Sequence, residues 1–119
     1  MARLKMSTVK AKGRITENAF VDYMDKVHDL KLERRRLKGA EDEGDITGWD
    51  SVCVEVKCST GSTVTLTGYL KELEAEKKNS GADLGFIASR PLGKPYPEDW
   101  YCVLPLPEMM RLLQKAGYL

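Results

Sequence analysis

Long apolar runs are missing from this chain of 119 residues: none approaches the roughly 20 residues that a helix needs to cross a bilayer. The opening MARLKMSTVKAKGR also lacks the apolar stretch of a secretory signal, so the chain is expected to work inside a cell. Histidine occurs once, at His28, and cysteine three times, at Cys53, Cys58 and Cys102. Three cysteines cannot all pair within one chain, and without close spacing or partner histidines they do not form a structural zinc site. Cys53 and Cys102 lie in apolar strand-like runs, where buried, inert thiols are expected. There is no internal repeat and no low-complexity tract, and the length accommodates one compact domain with a modest core.

Net charge is nearly absent as well, at +1, but it hides an asymmetry. Residues 1 to 38 hold 11 Lys and Arg against 5 Asp and Glu, whereas the remainder holds 8 against 13. A basic third joined to an acidic remainder suits a protein that grips phosphate close to a carboxylate cluster, although a solvated lysine-rich tail would look the same.

Residues 1 to 13 read as a basic arm or leading segment. From Thr16, a plausible N-cap, Phe20, Tyr23, Met24 and Val27 recur at helical spacing, and Glu17 projects from the edge of that face. Leu30 to Leu37 reads as a short strand, followed by a polar glycine loop and a second strand, Ser51 to Cys58. Along that strand Val52, Val54 and Val56 fall on one face and Cys53, Glu55 and Lys57 on the other, because side chains alternate. Leu66, Leu70 and Leu73 mark an amphipathic helix ended by Asn79 and Gly81. Asp83 to Ser89 and Trp100 to Leu106 read as strands, and a closing helix begins near Pro107. The order, helix, strands, helix, two strands, helix, predicts an α/β domain with a central mixed sheet flanked by helices.

Hydrolysis of a phosphodiester needs a hard cation, a source of hydroxide and positive charge at the anionic transition state. Asp45, at the end of the glycine loop, and Glu55, on the next strand, could reach one ion. Lys57 follows on Glu55's face about 7 Å along the strand, a distance that suits a group beside a metal-bound water. Glu-x-Lys alone is a weak signal; combined with Asp45 upstream and Glu17 on the preceding helix it becomes specific.

These residues lie in GRITENAF, RRRLKGAEDEGDITG and VCVEVK, segments that resemble the PD-(D/E)xK nuclease superfamily and, within it, the small Holliday junction resolvases of archaea, phages and actinobacteria. ELEAEKKNSGADLGFIA and DWYCVLPL look like the later elements of phage-type resolvases, so the resemblance covers most of residues 13 to 110. It implies a restriction-endonuclease-like sheet with a Mg2+ site, Mn2+ able to substitute, held by Asp45, Glu55 and the backbone carbonyl of Val56. Lys57 would orient or activate the attacking water, and Glu17 would hold a metal-bound water or a second ion. It further implies a homodimer that cuts branched DNA in the cytoplasm of a bacterial or phage-infected cell. Glu41, Asp42, Glu43 and Asp50 compete with Asp45 for the ligand role; Asp45 is preferred because the strand restarts there, and Asp50 comes second.

Lys10, Lys12 and Arg14, with at least one of Arg34, Arg35 and Arg36, are candidates for the DNA backbone. His28 is expected on the helix surface or at its cap, Trp49 and Trp100 as core or loop anchors, and Glu72, Glu74 and Glu76 on a solvated helix face, with Glu76 the one to test. Met109, Met110, Leu112 and Leu113 could serve a dimer interface or the monomer core. Two other readings are a restriction-like, nicking or end-processing nuclease and a DNA-binding protein without catalysis.

Overall fold

The structure, a computed structural model, describes residues 6–35, 44–58 and 63–119. Its elements are α1 (Met6–His28), β1 (Glu33–Arg34), β2 (Ile46–Thr47), β3 (Val52–Cys58), α2 (Thr63–Ser80), β4 (Leu84–Arg90), a 3-10 turn at Pro97–Asp99, β5 (Tyr101–Val103) and α3 (Leu106–Lys115). β3 pairs with β4 in parallel and β4 with β5 antiparallel, giving a mixed three-stranded sheet in the order β3-β4-β5. Helix α2 is the crossover that a parallel pair requires. β1 and β2 form a separate antiparallel pair.

Alternation along β3 decides which helix covers which face. Val54 and Val56, with Ala88 beside them on β4, pack against Phe20 of α1 together with Leu32 and Ile46. Cys53 and Ile87 point the other way and pack against Leu73 of α2, flanked by Leu66, Tyr69 and Leu70. Both faces of the sheet are therefore covered, and the face that carries Cys53, Glu55 and Lys57 lies under α2. Trp49 and Trp100 pack at the margin of the α1-side core; the Trp49 ring meets Phe86 edge-on at 6.1 Å, and Trp100 Nε1 donates to the Lys94 carbonyl over 2.8 Å.

Several boundaries differ from the sequence expectation. The first helix starts at Met6, so residues 6–13 are helical rather than an arm, and Thr16 lies inside the helix. Its hydroxyl donates to the Lys12 carbonyl one turn back over 2.8 Å, a bond that satisfies a helical threonine as well as a cap would. Val27 is exposed, while Phe20 carries the buried stripe. At the end of α1, Asp29 turns into the left-handed region at φ 53° and its N–H donates to the Asp25 carbonyl over 3.0 Å, the five-to-one bond that ends many helices, while Leu30 N–H returns to the Met24 carbonyl. His28 is exposed there, edge-on to Tyr23. Within the described part of Leu30 to Leu37 only Glu33–Arg34 form strand. β5 stops at Val103 because Pro105, which has no N–H, leads directly into α3. Among the described residues no helix is long and apolar enough to cross a membrane.

α3 inverts the usual arrangement. Its buried residue is Glu108, which binds Lys77 of α2 and, over 2.7 Å, Arg111; Arg111 also donates to the Asp83 carbonyl over 3.0 Å. Leu106, Met109, Met110 and Leu112 are exposed instead. Leu113, the fourth apolar side chain of this segment, is half-buried, so the segment divides between the monomer and the surface. Cys102 is exposed too, contrary to the buried thiol expected, because β5 is the outer strand of the sheet and this position is not covered. Cys53 is buried as expected, and burial, with Glu76 and Glu55 nearby, pushes its thiol up to about 12.

Candidate active site

Asp45 reaches the sheet because of the residue before it. Gly44 has φ +101°, and a Cβ there would lie 3.0 Å from Cys53 Sγ and 3.2 Å from the Val54 carbonyl oxygen. Only glycine lets the chain lie this close to β3 in that conformation. Asp45 N–H then donates to the Val54 carbonyl over 3.1 Å, and Val56 N–H donates to Asp45 Oδ2 over 2.8 Å. On the other side Arg35 N–H donates to the Asp45 carbonyl over 2.7 Å, holding the β1–β2 pair against the same edge. N–H and C=O of one strand residue leave by the same edge, so the Val54 and Val56 peptide groups face Asp45 while β4 takes the alternate ones.

Glu55, 3% exposed, and Lys57 lie between β3 and α2. Lys57 Nζ is 3.4 Å from Glu55 Oε1, 3.4 Å from Glu72 Oε1 on α2, and 4.3 Å from the centre of the Tyr69 ring. Burial opposes its charge, but Glu55, Glu72 and Asp45 outweigh that, and the Lys57 pKa is raised. Lys57 is therefore held as an ammonium, able to donate and to stabilise negative charge but not to take a proton. Asp45 shows the opposite balance. Desolvation first, then the charge of Glu55, with a contribution from Glu17, push it up to about 7 against the Val56 hydrogen bond and the Lys57 charge.

Glu17 comes from α1, where it accepts a hydrogen bond from Arg34 Nε over 2.9 Å. Glu55, Lys57 and Glu17 thus each lie within electrostatic reach of Asp45. Asp50 does not join them: it is exposed in the turn before β3. Glu41, Asp42 and Glu43 lie outside the described residues, as do Arg36 and the Lys10 side chain. Lys12 and Arg14 are exposed on α1. Arg34 is engaged by Glu17, and Arg35 Nη2 donates to the Ile46 carbonyl over 3.3 Å, so these two arginines are used at least partly inside the protein.

On α2, Glu72 and Glu74 are exposed as expected and Glu76 is not. Glu72 and Tyr69 flank Lys57, and Glu76, expected on a solvated face, is 3% exposed beside Cys53. The signal was present: Glu76 stands three residues after Leu73 and ten after Leu66, on the stripe that packs against the sheet.

The donor set bears on the metal that the resemblance implies. Among the described residues no group of three or more His, Cys, Asp or Glu side chains converges on one point. Mg2+ is commonly held by one or two carboxylates with water completing its shell. Two oxygen donors at a desolvated edge, one of them with a raised pKa, fit a hard divalent cation that would relieve their repulsion. The chain matches no model of a known protein family, no curated protein and no solved structure among those with which it was compared.

Proposed function

We propose that this chain is a Mg2+-dependent endonuclease that hydrolyses phosphodiester bonds in DNA, acting as a homodimer on a four-way junction, and that it is a member of the PD-(D/E)xK superfamily. The observation that carries this reading is the approach of Asp45 to Glu55 at the edge of β3 beside an ammonium that both help to keep charged. Asp45, Glu55 and the Val56 carbonyl would hold the ion, with Glu17 holding a water or a second ion. When bound, Mg2+ polarises the phosphate and lowers the pKa of water.

The chain's own groups do the remaining work. Lys57, fixed between Glu55 and Glu72, sets positive charge where the pentacovalent phosphate accumulates negative charge, and Asp45 and Glu55 fix where the phosphate can approach. Exposed Lys12 and Arg14 favour the DNA backbone. A junction with approximate two-fold symmetry needs two cuts and this chain has one site, so a two-fold dimer matches it, with the exposed apolar residues of α3 as the contact.

Incubating the protein with a four-way junction and with a linear duplex of the same sequence, in Mg2+, in Mn2+ and in EDTA, tests the reading. Cleavage of the junction on two strands, dependent on the ion, is expected. Equal rates on both substrates would make it a general nicking or end-processing enzyme, and no cleavage with either ion would leave a DNA-binding protein at most.

A further inference from the structure

Arg90 differs from the other arginines around the candidate site. It is the last residue of β4, in register with Cys58 at the end of β3. Its Nη1 donates to Thr16 Oγ1 of α1 over 3.1 Å. The partners of that hydroxyl are fully accounted for. Thr16 is 1% exposed and gives its one proton to the Lys12 carbonyl. The Thr16 oxygen accepts from Arg90, and the Cys58 sulfur, which also faces the Lys12 carbonyl at 3.9 Å, lies 2.9 Å from that hydroxyl oxygen.

Arg90 is thus fixed at one corner of its guanidinium by a neutral partner, and among the described residues it has no carboxylate partner. Arg34, by contrast, faces Glu17, and Lys77 and Arg111 face Glu108. A guanidinium carries its donors in a rigid fork that matches phosphate, and one held in place by a neutral hydroxyl keeps its charge for an anion from outside.

Its position favours the same ligand. The carboxyl ends of parallel strands are where open α/β sheets bind ligands, and Arg90 closes β4 at that end. Thr16 is the neighbour of Glu17, and Cys58 the neighbour of Lys57, so the anchor of Arg90 adjoins two members of the Asp45 site. Cys58 falls on the α1 face of β3 and Lys57 on the α2 face, so the two cations lie on opposite sides of the strand and do not converge on one oxygen.

We infer that Arg90, oriented by Thr16, binds a backbone phosphate next to the one being cut and so holds the DNA strand across the ends of β3 and β4. This rests on the nuclease reading. It adds to it a phosphate contact and a direction for the strand, running from the β3 edge toward β4.

The test is a salt series of binding to a four-way junction in a Glu55→Gln background, comparing Arg90→Ala, Arg90→Gln, Arg90→Lys and Thr16→Val with that parent. Removing the charge by Ala or Gln should weaken binding roughly 10-fold and reduce the slope of log affinity against log salt by about 1, the signature of one lost phosphate contact. Arg90→Lys should keep the slope and lose part of the affinity, and Thr16→Val should weaken binding without changing the slope. If Arg90 only braces α1 against β4, Ala and Gln will lower the melting temperature but leave slope and affinity as in the parent, which overturns the inference. A parent that binds no DNA overturns it together with the nuclease reading. An unsubstituted chain that binds but does not cut overturns the nuclease reading and with it the placement of Arg90 beside a scissile phosphate, while the slope still decides whether Arg90 contacts a phosphate at all.

Discussion

The backbone N–H of Val56 donates to Asp45 Oδ2 over 2.8 Å, and this bond ties a loop carboxylate to the strand that carries Glu55 and Lys57. Two residues eleven apart in sequence thereby become one site. Asp45 is held by backbone on both sides, so its position depends on how closely the loop can approach β3.

Gly44 controls that approach. Gly44→Ala places a methyl group 3.0 Å from Cys53 Sγ at a φ of +101°, and about 1–3 kcal/mol of stability should be lost. Because the strain falls on the residue before Asp45, metal affinity should drop even where the variant remains folded. Chemical unfolding and calorimetric Mg2+ titration measure the two effects; unchanged values in both would mean that the loop does not depend on glycine here.

Lys57 acts through its charge in this account. Lys57→Met should reduce cleavage about 100-fold or more while DNA binding stays within a few-fold, and Lys57→Arg should retain part of the rate. Glu72→Gln should cost little, since the Glu72 side chain is largely exposed and its pairing with Lys57 is screened. Single-turnover rates decide; a Lys57→Met enzyme as fast as the parent would remove Lys57 from the chemistry.

The raised Asp45 pKa has a definite sign for stability. Its ordinary value is 3.8 and it is pushed up to about 7, so between these values the folded chain keeps a proton that the unfolded chain has released. The stability this contributes is complete below about pH 4 and disappears as pH rises through about 7. In EDTA, therefore, the melting temperature of Asp45→Asn relative to the parent should rise from pH 5 to about pH 7 and level off above it, and Mg2+ should stabilise the parent more at pH 8 than at pH 5. A difference that stays constant across this range would show that Asp45 titrates normally.

Glu108 faces inward on α3 while Leu106, Met109 and Met110 face out, which suits a helix that meets another protein surface. Replacing Met109 and Met110 by Glu should convert a dimer to a monomer in sedimentation or light scattering with little change in the unfolding midpoint. Loss of folding in the double variant would instead assign these side chains to the monomer.

What was legible in the sequence was local. Alternation along SVCVEVKC put Glu55 and Lys57 on one face, and the helical stripe of Leu66, Leu70 and Leu73 put α2 against the sheet. Less legible was what depends on partners distant in sequence. Thr16 looks like a cap because threonine commonly starts helices, but its hydroxyl turns back to Lys12 and meets Arg90 from β4. Arg34 looks like a phosphate contact until Glu17 of α1 takes it, and no spacing rule reports a pairing across seventeen residues. Cys102 lies in an apolar run, yet β5 is the outer strand and exposes it. The fold class follows from local periodicities, whereas the assignment of charges to partners follows from how the elements meet.

The most direct test is cleavage of a four-way junction in Mg2+ by the native chain, by Asp45→Asn and by Glu55→Gln, each also measured for junction binding. The account predicts that the native chain cuts, that both variants lose cleavage, and that both still bind within a few-fold of the native chain. Undiminished cleavage by either variant would contradict a site built on Asp45 and Glu55.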